Sequence, residues 1–150
     1  MSKVLMERTF AKDTFYVGAS AISAGWVAGM AFQLDPTGTF AILGVVDNII
    51  FIGVDGTTEL SSPPSGSLIT GIYGSGTRFI IDHTPEVAAG SSTRAYNTSV
   101  GNPESGTINA NLYIGTDGKW TTTATGSVKG KQLSIPSAGN NFNLEIQLRF

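Results

Sequence analysis

Cysteine is absent from this chain of 150 residues, and histidine occurs only once. Without thiols the fold has neither disulfide bonds nor thiolate metal sites, so packing and association must supply its stability. Charged residues make up 13% of the chain, about half the share that is usual in soluble domains. The net charge of -2 provides no basic field for wrapping nucleic acid, and we expect no nucleic-acid partner.

Long helices are also missing from the pattern, because no window combines a 3.6-residue apolar period with helix caps. Residues 15–34 carry no charge and superficially look like a signal peptide or a membrane span. The middle of this segment is rich in Gly, Ala and Ser, which favours two short strands around a Gly-Ala turn. We therefore expect neither an export signal nor a membrane partner.

The sequence does contain the alternation of apolar and polar residues that is typical of β-strands. Residues 142–150 alternate without exception, which predicts a terminal strand with one buried face and one wet face. Short strands and Gly/Asp turns recur back to about residue 15, and a chain of this length fits one core. The fold class predicted is all-β, a single-domain β-sandwich or β-barrel of antiparallel hairpins with an extended N-terminal arm.

The predicted domain organisation has two parts. Residues 1–13 concentrate charges among apolar residues and are interpreted as the arm. Residues 14–150 form the β domain, with a long irregular excursion at residues 86–106 that is expected to be functional or to form an interface.

Two hairpins are predicted in the middle of the β domain. The first joins residues 41–46 to residues 49–54 through an Asp-Asn turn, and the second joins residues 68–73 to residues 77–82. The strands of the first hairpin are apolar on both faces. They must therefore be covered by other layers of the domain or by another chain.

Residues that could carry chemistry are few. His83 follows Asp82, but neighbouring residues on a strand point to opposite faces, so Asp82 is poorly placed to orient the ring. We interpret His83 as a hydrogen-bonded residue at the end of a strand. Four acidic residues occupy turn positions, where a short carboxylate serves the backbone: Asp35, Asp47, Asp55 and Asp117. The sequence predicts no enzyme, and no catalytic, cofactor or metal site.

Other classes of protein remain open. A glycan- or receptor-binding β-sandwich of a virion or cell surface would use Trp26 or Trp120 as an exposed platform, although the alternation around both residues favours core packing. An outer-membrane barrel is suggested by the terminal Phe150 after perfect alternation, but it requires export.

Three segments carry a resemblance to a known family. They are residues 25–35 (GWVAGMAFQLD), residues 112–120 (LYIGTDGKW) and residues 128–133 (VKGKQL). Together with the cysteine-free, Gly/Thr-rich composition, the strand, Asp-Gly turn and second strand near the end of the chain resemble the capsid decoration, or cement, proteins of tailed bacteriophages. The segment at residues 86–106 is a departure from that pattern.

The resemblance implies a non-enzymatic virion protein that is made in the host cytoplasm and bound to the outer capsid surface. Such a protein assembles as a trimer or dimer, contacts the major capsid protein and stabilises the head by bridging capsomers. We expect partner contacts at eleven residues of the arm, the apolar hairpin and the excursion: Lys3, Leu5, Met6, Arg8, Phe10, Ile49, Ile50, Phe51, Ile52, Arg94 and Tyr96.

Overall fold

A computed structural model describes residues 3–8, 11–38, 40–43, 51–54 and 68–150. Within these residues the chain forms eleven strands in two sheets and only two short helices, α1 (Ala19–Ala24) and α2 (Thr84–Ala88). The prediction of an all-β fold is confirmed.

The strands follow one another closely along the chain. They are β1 (Lys3–Arg8), β2 (Ala11–Val17), β3 (Ala31–Leu34), β4 (Phe40–Leu43), β5 (Phe51–Gly53), β6 (Leu68–Tyr73), β7 (Arg78–Asp82), β8 (Asn111–Ile114), β9 (Trp120–Thr121), β10 (Gly130–Gln132) and β11 (Leu144–Leu148). Five of them close into a barrel in the order β2-β4-β3-β5-β6, and the other six form an open sheet in the order β1-β7-β11-β10-β8-β9.

The barrel is filled by aromatic rings. Phe15 on β2 and Phe51 on β5 stack with centroids 3.9 Å apart, and Phe51 stacks on Phe32 at 5.1 Å. Because β2 and β5 are not neighbours in the barrel, the first contact must cross its interior. Gly71 on β6 makes room for this stack, since a Cβ atom there would lie 2.2 Å from Cδ2 of Phe51. Trp26 extends the cluster by an edge-to-face contact with Phe32 at 5.5 Å.

The open sheet contains the predicted terminal strand. Strand β11 lies between β7 and β10, and its Leu144, Ile146 and Leu148 are fully buried whereas Glu145 and Gln147 are half-buried. The alternation of residues 142–150 therefore predicted both the strand and its buried face correctly.

Two hydrogen bonds join the open sheet to the barrel. The indole N–H of Trp120 donates to the carbonyl of Gly29 at 2.8 Å, and the N–H of Ala31 donates to the carbonyl of Gly118 at 2.9 Å. The buried apolar residues of both sheets belong to one core cluster. The β8–β9 turn is thereby tied to the segment that enters β3.

Both predicted hairpins are wrong in their pairing. Strands β4 and β5 lie on opposite sides of β3, because Phe32 of β3 is opposite Leu43 on one side and Phe51 on the other. Strands β6 and β7 belong to different sheets. The turn between them is held by β11, since Gly76 N–H donates to the carbonyl of Leu148 at 2.8 Å. The short connection thus carries the chain from the barrel to the open sheet.

Residues 3–8 contribute to the open sheet and residues 11–13 to the barrel. Strand β1 pairs with β7 in an antiparallel ladder, and β2 begins at Ala11 and pairs with β6 along its length. The structure therefore differs from an extended arm, because backbone pairing incorporates this segment in the domain. The stretch at residues 15–34 also differs from two strands around a simple turn, since α1 stands between β2 and β3.

Candidate partner-binding surface

Strand β1 is an edge of the open sheet and carries four of the expected partner residues: Lys3, Leu5, Met6 and Arg8. Among the described residues β1 pairs only with β7, which leaves the backbone groups along its other side without a strand partner. Such an edge can accept a further strand from another chain. Leu5 is 43% exposed, whereas its neighbour Val4 is buried. The edge of β1 therefore offers a partner two features side by side, which are backbone hydrogen-bonding groups and an exposed apolar side chain.

The expected contacts from the apolar hairpin have a different position. Phe51 and Ile52 are both fully buried, and they point to opposite faces of β5, with Phe51 inside the barrel. The chain itself therefore covers both faces of β5, so neither side chain is presented to a partner. Phe10, Ile49 and Ile50 lie outside the described residues.

The expected contacts from the excursion are also internal. Arg94 is 8% exposed, its Nη1 donates to the carbonyls of Ser91 and Thr93, and its guanidinium lies 4.6 Å from the centre of the Phe142 ring. Tyr96 is fully buried and its backbone forms a bridge with Trp120. These two side chains hold the excursion against the domain instead of facing solvent.

Tyr96 is anchored by its hydroxyl group. The hydroxyl donates to Oε2 of Glu104 at 3.0 Å. Burial raises the pKa of Tyr96, and the hydrogen bond to the Glu104 carboxylate acts in the same direction. The phenol therefore stays protonated and acts as a donor that ties two parts of the excursion together.

His83 connects three segments of the chain and is fully buried. The N–H of Ala95 donates to its Nε2 at 3.1 Å, so Nδ1 carries the ring proton and donates to the carbonyl of Phe142 at 2.7 Å. The backbone N–H of His83 donates to Oδ1 of Asn143 at 2.9 Å. The interpretation of His83 as a hydrogen-bonded residue at a strand end is confirmed.

The ionisation of His83 follows from this burial. The apolar surroundings lower the pKa of His83 from 6.5 to about 4, although the hydrogen bond to Phe142 opposes the effect. The ring therefore stays neutral, with both of its nitrogens hydrogen-bonded to backbone groups. The adjacent Asp82 has a separate role, because its Oδ1 accepts a hydrogen bond from the N–H of Thr84 at 2.9 Å, at the start of α2.

Two of the turn carboxylates have the role that the sequence predicts. Oδ1 of Asp35 accepts from the Thr37 hydroxyl at 2.8 Å and from the Phe40 N–H at 3.3 Å. Oδ1 of Asp117 accepts from the N–H of Lys119 at 3.0 Å. Asp47 and Asp55 lie outside the described residues. In the part of the chain that the structure describes, no group of three or more His, Cys, Asp or Glu side chains is arranged to hold a metal ion.

A cavity of about 660 Å³ opens between α1, the end of β4 and the β8–β9 turn. Its volume lies in the range of small-ligand sites, which is about 300–1,000 Å³. The described residues that line it are mainly apolar toward α1 and β4 and polar along the turn: Ser20, Ala24, Gly25, Trp26, Val27, Met30, Ile42, Leu43, Thr93, Thr116, Asp117 and Lys119. This cavity could not be predicted from the sequence, because its walls come from distant segments.

Neither tryptophan offers a ring face to solvent. Trp26 is 2% exposed and Trp120 is fully buried, packed against Phe79 at a centroid distance of 6.3 Å. The core packing that the alternation favours is therefore observed at both positions. Stacking on a sugar would require an exposed ring.

An exposed apolar pair lies on the outside of the barrel. Tyr16 of β2 and Leu68 of β6 are directly opposite each other and are 54% and 55% exposed. The sequence analysis missed this pair. The alternation along β2, which places Tyr16 on the face opposite the buried Val17, could have identified its first member.

Comparison with protein-family models, with curated proteins and with solved structures finds no match for this chain. Among the described residues, no helix has both the length and the apolar character needed to cross a membrane.

Proposed function

We propose that this chain is a non-enzymatic structural protein of a virion, which binds the outer surface of the capsid and stabilises the head by bridging capsomers. The observation that carries the proposal is the open edge of β1 with the exposed Leu5 beside it. Strand addition at such an edge supplies backbone hydrogen bonds, and the exposed side chain supplies apolar area. The resemblance to tailed-phage decoration proteins gives the partner, the major capsid protein.

The all-β architecture suits a contact of this kind. Strand β1 is held by β7 on one side and belongs to a sheet whose inner face is fully buried at its centre, so its free side is presented on a rigid support. Individual contacts at such an edge are weak. The overall binding becomes stronger when many copies bind one lattice, or when a trimer or dimer presents several edges at once. Each contact that forms raises the effective concentration for the next one.

The experiment is sedimentation of the purified protein with shells assembled from the major capsid protein that the same genome encodes. We expect the wild-type chain to pellet with the shells. The variant Leu5→Ser should bind about fivefold more weakly, since it removes roughly 1 kcal/mol of apolar burial at the contact. Val100→Ser is the matched control, because Val100 is 62% exposed and lies in the excursion, away from β1.

Several outcomes would contradict the proposal. They are a genome that encodes no capsid protein, a wild-type chain that does not pellet with the shells, or equal losses for Leu5→Ser and Val100→Ser. Light scattering supplies an independent measurement, for which the proposal expects a dimer or trimer.

A second candidate is a glycan- or receptor-binding module, which would hold its ligand by the polar side of the cavity beside Trp26 and not by stacking on a tryptophan face. Trp26 lines the cavity, so an occupant should change the tryptophan emission. Titration with a panel of oligosaccharides tests this function, and an unchanged emission spectrum for every sugar would remove it.

A further inference from the structure

The outer face of the open sheet carries two rows of paired residues that are rich in cations. In the first row Arg78 of β7 is opposite Gln147 of β11, Gln147 is opposite Lys131 of β10, and Lys131 is opposite Asn111 of β8. In the second row Arg149 N–H donates to the carbonyl of Lys129. The same strands bury Phe79, Ile146 and Leu148 on the opposite face, so these rows point away from the core.

The four cations of this basic face are Arg78, Lys129, Lys131 and Arg149. None of them forms an ion pair with a described carboxylate. Their hydrogen bonds go to neutral groups: Lys129 Nζ donates to Ser127 Oγ at 2.9 Å, Lys131 Nζ to Asn111 Oδ1, and Arg149 Nη2 to Gln147 Oε1 at 3.3 Å.

Lys129 illustrates how the cations of this face lack counter-charges. The residue is 5% exposed as a whole, and the only described partner of its ammonium group is a serine hydroxyl at a part-buried position. A cation that has only a neutral hydrogen-bond partner attracts an anion placed over this face. Arg78 and Arg149 are exposed and Lys131 is half-buried, which allows an anionic partner to reach them.

The rest of the chain carries a net negative charge. The remaining five Lys/Arg residues stand against all eleven Asp/Glu residues. None of these carboxylates occupies a position in the two rows, although the half-buried Glu145 lies in the adjoining row of the same face. The basic face is also small, since three strands and two rows cover about 10 by 7 Å. A nucleic acid has a phosphate charge every few ångströms over a long path and would run onto the acidic surroundings. A short acidic stretch of polypeptide fits within the face.

We propose that the basic face docks an Asp/Glu-rich segment of a partner protein, which lies across β7, β11 and β10 next to the open edge of β1. This inference rests on the proposed function, because it states the chemistry of the partner at the same surface. Exposed Leu5 is opposite Ile80, and Ile80 is opposite Glu145, in the neighbouring row of the same face, so two apolar side chains and one carboxylate border the basic face.

The test measures binding of a fluorescent oligo-glutamate peptide to the full chain, with an oligothymidylate of equal charge as the second probe. We expect the peptide to bind at low salt and to be released as the salt concentration rises. The triple variant Arg78→Gln/Lys131→Gln/Arg149→Gln should bind it about tenfold more weakly, because three surface ion pairs are lost. This variant leaves the buried Lys129 intact, and its unfolding curve checks its fold.

Single variants separate the basic face from overall charge. Lys131→Gln removes a half-buried lysine of the face, and Lys119→Gln removes a half-buried lysine of the β8–β9 turn. Only the first should weaken binding of the peptide. Equal weakening by both variants, unchanged binding by the triple variant, or tighter binding of the oligothymidylate than of the peptide would each overturn the inference.

The capsid assay distinguishes this inference from the proposed function. If the triple variant pellets with shells as well as the wild type does, the basic face is not the docking site and the inference falls while the proposed function stands. If the peptide binds as expected but the wild-type chain does not pellet with shells, the proposed function falls and the acidic partner must be sought elsewhere.

Discussion

Acidification should destabilise this protein through its one histidine, His83. The ring is fully buried, its Nε2 accepts the N–H of Ala95, and its pKa is lowered to about 4 by burial. In the unfolded chain the same ring is exposed to water and titrates near 6.5. Protonation of the folded state would remove the acceptor for Ala95 and place a charge in the core.

The sign and the size of the effect follow from these two pKa values. Between pH 6.5 and pH 4 the unfolded state binds a proton that the folded state does not, so stability is complete above pH 6.5 and falls as the pH drops toward 4. Each unit of pKa difference is worth about 1.4 kcal/mol, which gives a loss of about 3 kcal/mol over the interval. This is a large part of the 5–15 kcal/mol or so that stabilises a typical domain.

The assay is urea unfolding at a series of pH values between 7 and 4, for the wild type and for His83→Gln. The chain has no other histidine, so the variant removes all histidine titration. Carboxylates that lie away from His83 are common to both proteins and cancel in the difference, whereas Asp82 and Glu86, whose charges interact with the ring, contribute to it. The variant should be less stable at pH 7, but its stability should fall by about 3 kcal/mol less than that of the wild type.

A direct measurement is also accessible, because the ring protons of a lone histidine give a single set of NMR titration shifts. We expect a midpoint near 4 in the folded protein. A midpoint near 6.5, or parallel stability profiles for the wild type and His83→Gln, would show that the ring is not held neutral in the core.

Two further predictions concern the core and the excursion. In thermal melts Gly71→Ala should destabilise the fold by about 1–3 kcal/mol or more, because the new methyl group meets the ring of Phe51. Gly139→Ala is the control and should change the melt little, since its methyl group would be in ordinary van der Waals contact. An unchanged melting curve for Gly71→Ala would show that the new methyl group meets no ring, which would contradict the aromatic filling of the barrel. Tyr96→Phe should lower the free energy of unfolding in urea by about 1 kcal/mol, since it removes the hydrogen bond to Glu104 and leaves the ring in place. An unchanged free energy would mean that this hydrogen bond is no stronger than the bonds to water that replace it in the unfolded chain.

The local features of the fold could be predicted because their signals are local. The period of two along residues 142–150 identifies β11 and its buried face, and the carboxylates of Asp35 and Asp117 identify two turns. The same reasoning identifies His83 as a hydrogen-bonded residue, since an adjacent Asp82 cannot share its face of the strand. The edge of β1 and its basic neighbours could not be found in this way. They require knowledge of which strand ends the sheet and which rows face outward.

The amino-acid pattern is sufficient to show that this chain is built from short strands, where many of those strands run, and which face of the last one is buried. The pairing of the strands follows only from the folded molecule. Periodicity reports the burial of a residue but not the partner that buries it, so β4 and β5 look like a hairpin until β3 is placed between them. For the same reason the apolar Phe51 and Ile52 look like contacts for another chain, although closure of the barrel and the packing around it bury both within this one.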